Sequence, residues 1–311
     1  MNKSERFFTR PWNVVLLAIL CTLLWGSAFP GVKIGYELYQ IGDGAPDKMV
    51  FAGYRFFAAG LLTILFGSLS QKKLLRPGRK NLADVAVLGL VQTTGQYIFF
   101  YVGLSNVTGV KGSILNSTGA FFAVILAHFF YRNDRLNGAK IAGCLIGLCG
   151  IFVCNLGGDM GGGFSLTGEG FMILASLSSA VGALLNKRAV QRGDSMMVTG
   201  YHLTFGGAVL LVTGLLGGGS VRNGGWQGFL VLAYLALLSA VAFTIWSLLL
   251  KYNPVGKICI FNFLIPIFGA LLSAAFLGES IFEWKYLGAL CLVCLGIALV
   301  NRPQKQPAAV P

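Results

Sequence analysis

The stretch VKGSILNSTGAFFAVIL, residues 110–126, is an apolar run that carries a lysine, an asparagine and a Ser-Thr pair. A second stretch, GKICIFNFLIPIFGALL at residues 256–272, places a lysine and an asparagine in the same register. Polar and charged side chains are costly inside an apolar helix. Their repetition indicates that one helical design was used twice in this chain.

The composition around these stretches is that of a membrane protein. Hydrophobic residues make up 55% of the chain and charged residues 11%, whereas a soluble domain carries about 25% charge. Ten apolar runs are each long enough to cross a bilayer core of roughly 30 Å, and as helices they satisfy their own backbone groups. We therefore predict an all-α integral membrane protein with ten transmembrane helices. The runs cover residues 13–33, 50–69, 84–104, 109–131, 139–156, 168–187, 196–216, 226–250, 257–277 and 285–301.

The positive residues are distributed unevenly between the two sides of the membrane. With the amino terminus inside, 18 of the 24 Lys and Arg residues fall on the inner side. Such residues concentrate on the cytoplasmic side of membrane proteins. The charge predicts a multi-pass protein of the cytoplasmic membrane with both termini in the cytoplasm. It gives no indication of a nucleic-acid partner.

Two features of the chain have an alternative interpretation. Residues 1–28 have the basic start and apolar stretch of a signal peptide, but the run continues past WGSAFP and completes the set of ten. The seven cysteines lie inside the runs without histidine or acidic neighbours at metal-ligand spacing. We predict a retained first helix, no metal site and no cofactor.

The duplication extends over both halves of the chain. Sliding the sequence by 146 positions places residues 111–155 on 257–301 with nine identical pairs among 45, and WGSAFPGVK ending at Lys33 aligns loosely with SAVGALLNK ending at Lys187. Five runs per half is an odd number, so the halves cross in opposite directions, as in many secondary transporters with a central cavity between the repeats. The predicted units are a tail 1–12, a first repeat 13–156, a Gly-rich loop 157–167, a second repeat 168–302 and a tail 303–311.

Four motifs occur in the order of a known family: LLWGSAFPGVK at 23–33, YRFFAAGLL at 54–62, AHFFYRNDRLNGAKIAGCLIGLCGIFV at 127–153 and AAFLGESIFEWKYLGALCLVCLGIALV at 274–300. The chain resembles the drug/metabolite transporter superfamily, in particular its ten-helix EamA-type members, over about 13–302. The resemblance implies that helices five and ten form a packing pair, that the other eight surround a central cavity, and that small metabolites are transported. The chain departs from the family at YRNDR, where a Gly-Glu pair is common, so that only the second half has the acid, Glu279.

Polar and aromatic side chains inside the runs are the candidate lining of the cavity. Arg55 stands about five residues, or roughly 8 Å, inside the second run. It either holds a solute carboxylate through its planar fork or bonds neighbouring helices. For the glutamine and asparagine candidates, hydrogen bonding between helices is the alternative to lining the cavity. His202 either carries protons or has a buried structural role. The other candidates are Trp25, Tyr54, Gln92, Gln96, Tyr97, Asn116, Tyr201, His202, Trp246 and Asn262.

Two further pairs are candidates for gating. Lys111 and Lys257 begin equivalent runs at opposite faces, and interfacial snorkelling is the alternative role for both. Pro30 and Pro266 interrupt the first and ninth runs, which frees backbone groups for a solute, although such kinks are also ordinary in membrane helices.

The sequence favours a secondary transporter that works by alternating access. All eleven acids fall in loops, tails or run ends, whereas the deeper charge is the cation Arg55. This arrangement suits the export of neutral or zwitterionic solutes with a carboxylate, such as amino acids, better than that of permanent cations. Multidrug efflux is the alternative. A membrane enzyme would need an HExxH or Ser/His constellation, which this sequence lacks. A channel would need rings of like charge, which it also lacks.

The partners predicted from this interpretation are few. They are a small-molecule metabolite and the lipid bilayer, with protons as a candidate coupling ion. A single chain contains both repeats, so a monomer is compatible with this function.

Overall fold

The computed structural model describes residues 3–107, 109–132, 134–154, 156, 164–277 and 284–301. Loop residues 157–163, Glu279, and the chain ends 1–2 and 302–311 lie outside this part, as does the side chain of Lys111. A short helix, Lys3–Thr9, precedes ten helical passes in the described chain.

The ten passes coincide with the ten predicted runs to within a few residues at each end. Among the described helices, seven are long and apolar enough to cross a membrane, and α4, α5 and α10 contribute shorter apolar segments. The passes are α1 (Pro11–Leu38), α2 (Ala45–Gln71), α3 (Arg79–Leu88, the π-helical Gly89–Gly95 and Gln96–Leu104), α4 (Gly109–Phe130), α5 (Gly138–Cys154), α6 (the π-helical Leu166–Gly170 and Phe171–Arg192), α7 (Ser195–Leu216), α8 (Gly225–Tyr252), α9 (Val255–Cys259, the 3-10 helical Ile260–Phe263 and Leu264–Leu277) and α10 (Trp284–Asn301).

The contacts between helices follow the duplication. α2 packs against α7 and α5 against α10, so each of these helices meets its own counterpart. Each of the other main contacts in one half has an equivalent in which every helix is replaced by its counterpart. The α1–α9 contact corresponds to α6–α4, α1–α8 to α6–α3, and α2–α8 to α7–α3. Because each half has five passes, the second half crosses in the opposite direction. The predicted inverted repeat is confirmed.

Glycine allows the helices on this symmetry axis to approach closely. A Cβ added to Gly60 of α2 would lie 2.4 Å from the backbone nitrogen of Thr204 of α7. In α5 and α10, a Cβ added to Gly143 would lie 2.6 Å from the Gly296 carbonyl oxygen. Small residues let helix backbones pack tightly in lipid, where no hydrophobic effect drives helices together. The expected packing of the fifth helix against the tenth is observed.

The two prolines predicted to interrupt helices behave differently. α1 continues as one helix through Pro30, so the predicted interruption there is wrong. Gly26, four residues earlier, packs directly against Phe268 of α9, and support from a neighbouring helix lets a membrane helix continue past a proline. In α9 the 3-10 segment ends at Phe263, three residues before Pro266, whose ring clashes with the Asn262 carbonyl in regular α-helical geometry.

The two faces of the bundle need names for the description of the site. The face at which α1 begins and α10 ends is called the terminal face, and the other is called the opposite face. On the terminal face the Asp194 carboxylate caps α7 by accepting a 2.9 Å hydrogen bond from the Met197 N–H. On the opposite face the Ser165 hydroxyl and the Glu169 carboxylate cap the start of α6 in the same way.

Candidate functional site

Arg55 lies deep in the membrane-spanning part of α2. The helix begins ten residues earlier, so Arg55 is about 15 Å from the helix end, deeper than the apolar run alone predicted. Its Nε donates a 2.9 Å hydrogen bond to the Ser239 hydroxyl of α8, which donates in turn to the Leu235 carbonyl. The guanidinium also lies 5.0 Å from the Phe56 ring centroid. Arg55 is 5% exposed, and the described residues place no carboxylate within ion-pair distance of it.

A cluster of aromatic rings extends from this guanidinium towards α1 and α8. The Phe56 ring contacts Tyr97 of α3 with 4.5 Å between centroids, and Phe243 of α8 with 6.2 Å. Phe243 contacts Trp25 of α1 at 5.3 Å, and Trp25 contacts Trp246 at 5.0 Å. These tilted and edge-to-face pairs form a rigid apolar surface beside a single fixed positive charge.

Tyrosines connect Arg55 with the opposite face. Tyr36 of α1 and Tyr101 of α3 interact with each other, and both, together with Tyr97, lie within electrostatic range of the guanidinium. Tyr36 also lines a pocket of about 440 Å³, which we call the opposite mouth. The charged residues of the opposite mouth are balanced, because two lysines face two acids. Its lining residues are Lys33, Tyr36, Glu37, Gln40, Ile41, Gly42, Asp43 and Lys48.

A second polar group lies between Arg55 and the terminal face. Thr93, in the π-helical segment of α3, shares a 3.3 Å hydrogen bond with Nδ1 of His202 of α7. Asn186 of α6 and Thr199 of α7 both donate to the Ser247 hydroxyl of α8, at 3.0 and 2.8 Å. π-helical turns occur frequently at functional sites. Buried atoms without a hydrogen-bond partner in the described chain include Gln92 Oε1, Asn186 Oδ1 and His202 Nε2.

The terminal face is closed by a group of buried charges, which we call the terminal seal: Asp134, Lys140 and Lys187. Asp134, between α4 and α5, accepts hydrogen bonds from Lys140 Nζ at 2.6 Å and from the Gly256 N–H of α9 at 2.8 Å. Lys140 also donates to the Arg135 carbonyl. The carboxylate therefore ties the first half of the chain to the start of α9 in the second half.

Lys187 contributes to the terminal seal from α6. The helix continues for five residues beyond it, so Lys187 is 3% exposed and not at the end of the span, where the predicted run placed it. Its Nζ donates to the Asn253 carbonyl between α8 and α9 and lies 5.3 Å from the Tyr131 ring centroid. Tyr131 donates a hydrogen bond to the Leu184 carbonyl of α6.

Two predicted lining residues lie elsewhere, and this corrects the sequence-based site. Tyr54 is 44% exposed and shares one face of α2 with the exposed Leu61 and Leu65, a stripe directed at lipid. Tyr201 donates its hydroxyl to the Leu75 carbonyl at 3.0 Å, which fixes the loop between α2 and α3. We exclude both tyrosines from the candidate site.

The other predicted residues occupy positions that suit lining or interhelical roles equally. Asn262 lies in the 3-10 segment of α9 with a buried, unpartnered Oδ1, and Gln96 and Asn116 are half-buried. Lys257 is half-buried, and its carbonyl accepts a hydrogen bond from Asn301. Their assignment as binding or gating residues stays a prediction.

The sequence analysis missed several polar residues of the site. Ser239 and Ser247 are polar residues in an apolar run, as Asn116 is, so the same criterion could have selected them. Serine is common in helices, however, and therefore gives a weak signal. Asn186 and Lys187 end the stretch SAVGALLNK, which the sequence analysis used only to align the two halves. Nothing in the sequence predicted that Asp134 is buried, because the surrounding YRNDR has the composition of an exposed loop.

Comparison with known proteins agrees with this geometry. The model of the EamA-like transporter family matches residues 12–156 and 166–302, one copy for each half. The uncharacterized inner membrane transporter YedA of Escherichia coli is 27% identical over 284 residues, which cover 88% of each chain. The uncharacterized transporter YoaV of Bacillus subtilis is 28% identical over 92% of this chain and 95% of its own. A chloroplastic WAT1-related protein of Arabidopsis thaliana is 26% identical over 94% of this chain and 70% of its own.

A solved crystal structure has the same fold. It superimposes with a TM-score of 0.75 and covers 92% of this chain and 95% of the other. Its sequence identity of 19% restricts the likeness to the fold.

Proposed function

Because the chain belongs to the EamA-like transporter family, which is a family of membrane transporters and not of enzymes, we propose that it exports small solutes bearing a carboxylate. Amino acids are the model class, and the protein acts as a secondary carrier in the cytoplasmic membrane. The proposed binding residues are Arg55 with Ser239 and the rings of Trp25, Phe56 and Trp246.

The observation that carries this proposal is the charge of Arg55. A buried charge is costly unless it is paired, yet the described residues supply one neutral hydrogen bond and one ring face to the guanidinium. A carboxylate would complete the site through the remaining N–H groups of the planar fork. The neighbouring rings would hold the apolar part of the solute. A lipophilic cation would meet these rings too, but it would be repelled by the guanidinium.

Alternating access is supported by the difference between the two faces. A pocket at the opposite face is lined by residues 33–48, including Tyr36, whereas the terminal face contains the buried pair of Asp134 and Lys140. In an inverted repeat, exchange of the two half-conformations opens one side and closes the other. The second state would expose Arg55 to the terminal face.

Ligand binding by the purified protein tests the substrate class. Amino acids should raise the melting temperature, and quaternary ammonium dyes should not. Arg55→Gln should weaken amino-acid binding at least tenfold, because it removes a charge-assisted interaction worth about 1.5–3 kcal/mol. The control is Arg188→Gln, whose side chain is exposed and pairs loosely with Asp84. Tighter binding of the dyes, without competition by amino acids, would instead support multidrug efflux.

Sided labelling tests the proposed orientation. Single cysteines at residues 40–46 and 219–224 should react with an impermeant reagent from outside the cell, and those at 72–80 only after permeabilisation. The opposite pattern would place the termini outside.

A further inference from the structure

Equivalent lysines stand near the two faces of the bundle. Lys33 lies five residues before the end of α1, and Lys187 lies five residues before the end of α6, the counterpart of α1. Because the halves are inverted, one lysine belongs to the opposite mouth and the other to the terminal seal. Lys33 is exposed and lines the pocket, whereas Lys187 is buried.

The terminal seal holds more positive than negative charge. Asp134 is its carboxylate in the described chain, and this carboxylate pairs directly with Lys140 at 2.6 Å. Lys187 is in electrostatic range of Asp134, but no described carboxylate lies within ion-pair distance of it. Its Nζ has the Asn253 carbonyl and the Tyr131 ring as partners. A buried ammonium with only such neutral partners leaves the seal short of one anion.

We propose that Lys187 binds the carboxylate of the solute at the terminal face and that this binding opens the terminal seal. The proposal rests on the proposed function in one respect, because it requires a solute with a carboxylate. Lys33 is the corresponding residue at the opposite mouth.

The contacts of Lys187 explain how a carboxylate opens the seal. Its hydrogen bond to Asn253 joins α6 to the turn between α8 and α9. A carboxylate is a stronger acceptor for an ammonium than a peptide carbonyl, so in the open form the solute replaces this bond. The Gly256 N–H of α9 keeps its hydrogen bond to Asp134, so the carboxylate releases one of the two hydrogen bonds described between the seal and this region. Since the carboxylate reaches Lys187 only in the open form, it shifts the equilibrium towards that form.

Cys259 of α9 provides a reporter of this opening. It is 1% exposed and lies within electrostatic range of both Lys187 and Asp134, directly behind the seal. The experiment uses the full chain in proteoliposomes, with the six other cysteines replaced by alanine. A membrane-impermeant maleimide is applied from the terminal face, and the labelling rate is measured in sodium acetate and in sodium chloride of equal ionic strength.

Acetate should raise the labelling rate at least threefold over chloride, and L-alanine should do so where L-alaninamide does not. Lys187→Met should remove this increase, and Lys187→Arg should keep it. The exposed neighbour Arg188 provides the matched control, since Arg188→Gln should leave the increase unchanged. Lys140→Met should raise labelling even in chloride, because it removes the ion-pair partner of Asp134.

Several results would overturn the proposal. One is an acetate-dependent increase in Cys259 labelling that persists in Lys187→Met. Another is an equal labelling rate in acetate and in chloride when Lys187 is present. A third is unchanged labelling in Lys140→Met, which would show that the seal does not protect Cys259. The two proposals fail separately. Amino-acid binding that depends on Arg55 without acetate-dependent labelling rejects only the role of Lys187, and the reverse result rejects only the proposed function.

Discussion

The opposite mouth and the terminal seal contain the equivalent lysines of the two repeats, Lys33 and Lys187, yet the first lysine is exposed and the second is buried. The mouth has two lysines and two acids around a pocket of about 440 Å³, and Lys33, Glu37 and Asp43 are exposed. The seal has two lysines and one acid, all at most 3% exposed. Similar charges therefore have different energetic consequences on the two faces, because water screens the first set and not the second.

This difference indicates where the free energy that separates the two conformations resides. Exposed ion pairs contribute little to stability, whereas breaking a buried pair leaves an uncompensated charge. The seal should therefore control access from the terminal face, and the mouth should tolerate substitution. Three matched pairs of variants test this contrast, and they are described from the largest expected effect to the smallest.

The largest difference in stability is expected between Asp134→Asn and Asp43→Asn. The first leaves Lys140 buried without its carboxylate, which should cost about 3–5 kcal/mol of stability. The second alters an exposed acid and should change stability by less than about 0.5 kcal/mol. Thermal unfolding in detergent measures both. Adding Lys140→Met to Asp134→Asn should restore part of the loss, and equal melting temperatures for the two single variants would remove the contrast.

The second comparison, between Lys187→Met and Lys33→Met, should show a gain in stability at the seal and not a loss. Methionine keeps the length of the buried side chain and removes its desolvated charge, so Lys187→Met should raise stability by about 1 kcal/mol. Lys33→Met, at an exposed position, should leave the melting temperature nearly unchanged. A clear decrease for Lys187→Met would mean that its bond to Asn253 is mainly structural.

The smallest difference should separate Tyr131→Phe from Tyr39→Phe. Tyr131 donates a 3.1 Å hydrogen bond to the Leu184 carbonyl, and its loss should cost about 0.5–1.5 kcal/mol. Tyr39 packs its ring against Gly224 and Gly228, and a phenylalanine preserves that packing. Cys259 labelling from the terminal face should rise for Tyr131→Phe alone. No change in either variant would restrict the seal to its charged residues.

Much of the architecture was predictable because a membrane constrains a chain strongly. Apolar length determines each pass, so the ten runs located the ten helices, and the repeated Lys-x4-Asn pattern of α4 and α9 identified the duplication. The same rules selected Trp25, Arg55, His202 and Trp246, which lie in or beside the central cluster. The domain limits and the binding roles of these residues stay predictions.

Tertiary structure decided which of several similar residues are buried and paired. Tyr54 and Arg55 are neighbours in the sequence, but only one points into the bundle, because the rotation of α2 is set by its packing against α7 and α8. Asp134 and Asp43 are both loop acids, and only the packing of α9 over the loop between α4 and α5 buries one of them. A sequence determines that a helix crosses the membrane by its total apolar content. Burial and pairing of single charges depend on contacts between distant helices, which no local pattern contains.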